Sequence, residues 1–385
     1  MIELDPELLI AHFRSVSEPR MTRTRRHHLI DILVIALLAV ISGCDGWTEV
    51  AAYGRRKKKW FQTFLELPAG IPSHDTFGRV FSRIQPSEFQ ACYESWLKEL
   101  AADQTDLTDD AVAIDGKTLR GSLDRGGEQT AVHLVSAWAT KNRLLLGQVA
   151  VDAKSNEITA IPELLKKIDV SGSVVTLDAM GCQKSIAADI RAAGADYVLA
   201  LKANHETLHQ EVEDYLLDSM EKDFAGVPHT HWSKKETGHG RRERREVYAV
   251  AVPESLRQRT EWQDLRSLVL VVSERADKHG AKEEKGTVRF YLSSLKPQAR
   301  RLAGYVRGHW GIENGFHWVL DVCFREDHSR IRKDHGPENF ALLRRLALTI
   351  LKQDSQFSES VRCKRLCCGF DNDYLTRILL GFKGN

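Results

Sequence analysis

This chain of 385 residues has almost no net charge: 55 Lys and Arg against 53 Asp and Glu leave a formal +2. A polyanion would therefore have to be met by local basic patches, not by the molecule as a whole. Paired CxxC spacing is missing among the seven cysteines, which are odd in number and scattered. That argues against a structural zinc site and for a reducing, cytoplasmic setting. Long apolar runs are missing too. The longest, ILVIALLAVI at 32–41, is too short to cross a bilayer and reads as a buried core helix, and the opening MIELDPELLIAHF carries acids and no cleavable apolar segment. No membrane partner is expected, and no internal repeat or low-complexity block occurs. What is present is 42% hydrophobic content, enough for a globular protein with at least one large core and two or more domains.

Residues 1–100 show only helical spacing of apolar residues, as in LLIAHFRSV and PSEFQACYESWLKELAAD. Basic residues gather in RMTRTRRHH (20–28) and RRKKK (55–59). In GIPSHDTFGRVFSRI, Ser73 is placed to cap a helix presenting Arg79 and Arg83, either as part of a helix-turn-helix or as a bundle with a solvated basic face. The polar, acidic ADQTDLTDD at 102–110 reads as a linker, dividing a helical domain (1–105) from a second domain (106–385). A fragment ending near Asp106 should then be soluble and helical by itself. From Ala111 three strands follow in succession (AVAID, AVHLVSAWA, LLLGQVAVDA), then a helix from Asn156, strand SVVTLDAM, helix QKSIAADIRAAG and strand DYVLALK. This is the pattern of an α/β layer with a mixed sheet. Residues 203–300 look like an insertion with its own β content: an acidic helix, a basic turn-rich segment SKKETGHGRRERRE, and strand-like VYAVAV, SLVLVVSER and TVRFYLSS. Helical pattern returns near Pro297 and runs through NFALLRRLALTILKQ before a ragged tail.

Asp115 follows the apolar AVAI and precedes Gly116; Asp178 follows VVTL. Each is a carboxylate expected at the carboxyl end of a buried strand, the edge where open α/β sheets assemble their sites, although Asp there is also ordinary turn chemistry. Three carboxylates from separate elements can hold two hard divalent cations, which activate water or a 3′ hydroxyl and neutralise the leaving oxygen of a phosphodiester. A third acid stands in HWGIENGFHWVLDVCFRED (309–327), where Glu313 lies between His309 and His317. Those three residues at i, i+4 spacing would share one helix face and could instead ligate zinc in a hydrolase. No HExxH string accompanies them, and the aspartates would then have no role.

The ordered set AIDGKTLRGS, KSNEITAIPELL, TLDAMGCQ, DYVLALKANHE, HWGIENGFHWVLDVCFREDHSR and NFALLRRLAL resembles insertion-sequence transposases of the DDE superfamily, specifically the H-repeat-associated (ISAs) type. Upstream, SEPR, ISGCDGWTEV and IPSHDTFGRVF resemble the helical region that accompanies that catalytic domain. The resemblance implies a ribonuclease-H-like catalytic core with Asp115, Asp178 and Glu313 as acids binding Mg²⁺ or Mn²⁺. It implies DNA cleavage and strand transfer on terminal inverted repeats and target DNA, by a homo-oligomer of at least two chains. A transposase-derived DNA-binding protein without catalysis is the non-enzyme alternative.

Between Asp178 and Glu313 lie 134 residues (179–312), and the β-rich insertion accounts for the surplus. Candidate phosphate contacts are Lys117, Arg120 and Lys202 near strand ends, Arg241 and Arg242 in the insertion, and Arg25 and Arg26 in the helical region. The pattern departs from related transposases at His309, where an arginine is expected, and at Leu320, where a lysine is expected; Tyr305 and Arg307 are out of register. Trp310 and Trp318 are expected to pack in the core or to stack on a displaced base.

Overall fold

The computed structural model describes residues 7–101, 106–123, 130–151, 156–238, 241–277 and 283–380. Six helices come first: α1 (Glu7–Phe13), α2 (Leu29–Ile41), α3 (Trp47–Arg56), α4 (Lys58–Phe61), α5 (His74–Phe81) and α6 (Pro86–Ala101). Ser73 caps α5, its hydroxyl accepting from the Thr76 amide, and Arg79 and Arg83 are exposed, as the sequence predicts. Every residue of α2 from Asp31 to Ile41 is buried. A helix apolar on all sides must be covered on all sides.

The sheet begins at β1 (Ala111–Thr118), β2 (His133–Ala139) and β3 (Leu144–Val151), antiparallel neighbours. Helix α7 (Glu157–Leu165), capped by the Asn156 side chain, leads to β4 (Val174–Leu177), and α8 (Lys184–Ala192) leads to β5 (Asp196–Leu201). Strands β1, β4 and β5 pair in parallel. The order β3-β2-β1-β4-β5, with three antiparallel strands followed by two parallel ones, is a ribonuclease-H-like sheet.

The next hundred residues carry the β content their sequence suggests, but not as a separate sheet. After α9 (Glu206–Glu221) come β6 (His229–Gly238), β7 (Arg241–Ala251), helix α10 (Glu254–Thr260), β8 (Ser267–Asp277) and β9 (Glu283–Ser293). Strand β9 pairs antiparallel with β5, so all nine strands make one sheet ordered β3-β2-β1-β4-β5-β9-β8-β7-β6. SKKETGHGRRERRE is likewise not a turn-rich loop: its residues fill β6 and β7, paired from His229–Val250 to Gly238–Arg241. Glutamates make this possible by neutralising neighbouring cations, with Lys234–Glu236, Arg244–Glu246 and Arg245–Glu243 each at 2.6 Å.

Helix α11 (Ala299–Ile312) crosses the sheet, passes into a π-helical turn at Glu313–His317, and continues as α12 (Trp318–Phe324), α13 (Gly336–Gln353), α14 (Val361–Phe370) and α15 (Asn372–Leu380). The tail after Gln353 is thus helical, not ragged. No helix among the described residues is long and apolar enough to cross a membrane, and all seven cysteines are free thiols.

One apolar cluster lies between the sheet and α7, α8 and α9. The cluster on the opposite face continues from Ala113 and Trp138 through Phe316 and Leu346 into α2, α5 and α6. Polar ties cross the same junction. Tyr93 donates to Leu145 O at 2.9 Å, Asn339 donates to Phe81 O at 2.8 Å, and Arg365 of α14 donates to Val40 O at 2.9 Å.

The linker reading carries the expectation that residues 1–106 stand alone, but this packing argues otherwise. Without α13 and α14, α2 loses its cover, and each large side chain left in water forgoes roughly 1.5–3 kcal/mol. A fragment ending near Asp106 should aggregate or bind a hydrophobic dye, with no cooperative melt by circular dichroism. A monomeric fragment melting cooperatively would show that the shared core is dispensable.

Candidate active site

Parallel pairing of β1 with β4 runs from Ala111–Val174 to Ile114–Leu177. Asp115 and Asp178 are the next residue on each strand, and neighbouring strands lie about 4.8 Å apart. Alternation sets their direction. Val112, Ile114, Val175 and Leu177 face the α7–α8 layer, whereas Ala111, Ala113 and Val174 face α11 and the helices beyond. Asp115 and Asp178 continue the second series. The sequence places both at strand ends; Asp178 is at one, but β1 runs three residues past Asp115 because pairing with β2 continues to Thr118–His133. Asp178 closes a tight turn, its Oδ1 accepting from the amides of Met180 (3.0 Å) and Gly181 (3.3 Å).

Helix α11 lies against the same face at backbone distance. A Cβ on Gly308 would sit 2.8 Å from the Ala111 Cβ, and one on Gly311 2.6 Å from Thr140 Cγ2. His309 Nδ1 meets Thr176 Oγ1 at 3.1 Å. Glu313 follows one turn later, exposed, at the start of the π turn. The extra residue in that turn rotates what comes after it. His317 is buried with Nδ1 3.6 Å from Asp115 Oδ2, too long for a hydrogen bond. His309 and His317 thus both turn toward the acids at the sheet edge, with Glu313 exposed between them.

The same rotation leaves Trp318 57% exposed, and Trp310 is 37% exposed beneath the Arg289 guanidinium, 5.1 Å from the ring centroid. The expectation that these tryptophans pack in the core does not hold.

Electrostatics converge on Asp115. Burial pushes its carboxyl up to about 7, and the negative charges of Glu157, Asp178 and Glu313 push the same way. Burial likewise lowers both histidines, His317 to about 3 with help from the Arg345, Lys117 and His133 charges. Both rings are neutral at neutral pH. Glu157 is a neighbour that sequence reasoning missed, since at the start of α7 it reads as an ordinary first-turn acid. Its Oε1 meets His133 Nε2 at 2.8 Å, and this pair lies close over Gly116, where a Cβ would fall 2.1 Å from that oxygen.

The candidate cations are dispersed. Lys117 turns to Asp321 at 2.7 Å and Asp327 at 3.7 Å instead of an open groove. Arg120 is 82% exposed and 3.7 Å from Asp327, and Lys202 is exposed just past β5. Arg25 and Arg26 are exposed in the helical region, with Arg25 Nε donating to Arg20 O at 2.9 Å. Arg242 is exposed opposite Thr237; Arg241 pairs with Gly238, its side chain outside the described residues.

Asp115, Asp178 and Glu313 offer the charged oxygens that a hard cation requires, and the mutual repulsion at Asp115 fits a bound cation. With the side chains as they stand, no group of three or more His, Cys, Asp or Glu among the described residues could hold a metal ion. Binding would have to draw them closer.

A linkage prediction follows from Asp115. Its carboxyl titrates near 3.8 when unfolded and about 7 when folded, so over that window the folded state holds a proton the unfolded state has released, and metal-free stability falls as pH rises. Asp115→Asn removes this penalty. In EDTA at about pH 8 it should be more stable than wild type by an amount on the order of a few kcal/mol, and the gap should close below about pH 4. Denaturant unfolding at both pH values is the check; an Asn variant less stable at the higher pH would contradict the crowding of charge.

Residues 106–350 match the family described as a transposase DDE domain, and residues 10–97 match its associated region. YhhI of Escherichia coli strain K12, whose name assigns it to the H repeat-associated transposases, is 38% identical over 97% of this chain and 98% of its own length. YncI of Escherichia coli O157:H7, named as a transposase, is 36% identical over 97% of this chain and 96% of its own. YbfQ of strain K12, named an inactive transposase, is 33% identical over only 20% of this chain and 89% of its own. Among solved structures, a piggyBac transposase synaptic complex with hairpin DNA aligns over 99% of this chain and 78% of its own, at 10% identity and a TM-score of 0.44. With both family regions matched in order and full-length relatives above 30% identity, this chain belongs to the DDE transposase family, among the H repeat-associated transposases.

Proposed function

We propose that the chain cleaves DNA strands at the ends of an insertion sequence and transfers them to target DNA, using Asp115, Asp178 and Glu313 to hold Mg²⁺ or Mn²⁺. The observation that carries this reading is the β1–β4 register, which sets the two aspartates side by side on the face crossed by α11 and its Glu313. Divalent ions, when bound, supply activation of the attacking water or 3′ hydroxyl and charge neutralisation at the leaving oxygen.

The chain's own groups prepare that site. Thr176 fixes His309 beside Asp178, while His317 fills the space behind Asp115 without adding positive charge. Asp321 and Asp327 draw Lys117 away from the acids, leaving their charge for a cation. Arg120 and Lys202 at the strand ends, Arg25 and Arg26 in the helical region, and Arg241 and Arg242 in the β7 strand are proposed phosphate contacts. Residues 1–105 then act as a DNA-binding unit seated on the catalytic unit 106–385. Joining two DNA ends in one reaction requires at least two chains.

The test uses DNA carrying the element's own ends. Wild type should cut it with Mg²⁺ or Mn²⁺, and Asp115→Asn, Asp178→Asn and Glu313→Gln should each reduce cleavage by at least about a hundredfold with DNA affinity little changed. The losses should be non-additive. If Asp115→Asn cuts as well as wild type, the carboxylate mechanism is wrong; if wild type binds these ends but does not cut them with any divalent metal, the chain is a DNA-binding protein only. Stoichiometric copurifying zinc lost on His309→Ala would restore the zinc reading.

A further inference from the structure

A cleft of about 660 Å³ opens where the helical region meets the segment after the α12 helix. One wall is the amino-terminal turns of α3 and α5, with Trp47, Thr48 and His74, together with Arg79 in the last turn of α5; the other is the strap 325–333, with Arg325, Arg330, Arg332 and Lys333. All five of these cations are exposed. Three acids share the lining: Asp45 pairs with Arg365 at 2.9 Å, Glu49 accepts from the Asp45 amide at 2.5 Å, and Asp75 lies 3.4 Å from His74. Two helix amino termini add partial positive charge on the same wall.

The strap is anchored to the strand that carries Asp115. Arg332 Nε donates to Gly121 O at 3.1 Å, Arg120 lies 3.7 Å from Asp327, and an added Cβ at Gly121 would fall 2.0 Å from Ser329 O. Asp115 and Gly121 are six residues apart, so the chain between them spans at most about 20 Å. That is about six base-pair steps along duplex DNA.

We propose that this cleft binds the phosphate backbone of duplex DNA next to the reacting bond, with Arg79 on one wall and Arg330, Arg332 and Lys333 on the other. This rests on the reading of the chain as a DNA-processing enzyme and names a contact surface separate from Arg25, Arg26, Arg241 and Arg242. The cleft is open to solvent and its cations stand on both walls, which suits a continuous polyanion better than an enclosed small ligand. Phosphate contacts of this kind set position and register while the acids do the chemistry.

The experiment measures binding of the full-length protein to a labelled duplex across a salt series, comparing wild type with the triple variant Arg79→Ala, Arg330→Ala, Lys333→Ala. Affinity at about 0.1 M salt should fall at least about tenfold, and the slope of log affinity against log salt should flatten by about two to three. Thermal melting should be little changed. If the triple variant fails to fold, Arg79→Ala and Lys333→Ala tested singly should each flatten the slope by about one. Duplex binding by wild type with unchanged affinity and slope in the variants overturns the cleft while leaving the transposase reading intact. Loss of inorganic phosphate binding alone, with duplex affinity kept, also overturns it. If wild type binds no duplex at all, the cleft and the function proposed above fall together.

Discussion

The acidic edge depends on how closely α11 lies on the sheet. Gly308 and Gly311 bring its backbone so near Ala111 and Thr140 that an added methyl on either would meet them below 3 Å. A helix held at an ordinary side-chain distance, about 10 Å between layers, would carry Glu313 away from Asp115 and Asp178. Close seating also lets His309 reach Thr176 in the middle of β4. The π turn lies where this helix passes from residues packed on the sheet, Leu302 to Val306, to residues packed in the helical core, Ile312, Phe316, Val319 and Leu320. One extra residue per turn makes that change of face without breaking the helix.

Charge is partitioned with similar economy. The acids nearest the site repel one another, while the available cations are tied to other carboxylates, Lys117 to Asp321 and Asp327, and Arg345 to Glu326 in a pair with no exposure at all. Both histidines beside the acids are held neutral by burial. Such an arrangement destabilises the folded chain, as unpaired carboxylates do when crowded. Active sites concentrate this kind of local cost, and the large cores on both faces of the sheet offset it.

Much of this architecture is legible in the residues. Alternation in AVAID, HLVSAWA and VVTL marks β1, β2 and β4, Asn156 marks the start of α7, and Asp115 and Asp178 fall where the strands leave the core. VYAVAV marks the second half of β7, but β6 and the first half of β7 are hidden because their residues are largely polar on both faces, with pairs such as Lys235–Arg244 crossing between exposed positions. No local signature announces the π turn, so HWGIENGFHW reads as one straight helix and its tryptophans as core. Glu157 becomes visible only when the fold folds α7 back beside β1, since nothing in its own neighbourhood points to Asp115. The continuity of one sheet through β5 and β9 is set by pairing between residues about ninety apart, beyond what periodicity reports.

The core shared by α2, α13 and α14 also orders events in time. Translation delivers α2 early and its cover more than 300 residues later, so the nascent chain carries a wholly apolar helix without its permanent neighbours until synthesis is nearly done. Such a segment depends on chaperones or transient collapse while it waits. A chain terminated before α13 would leave α2 without this cover. Completeness of the polypeptide is in effect proofread by the fold itself.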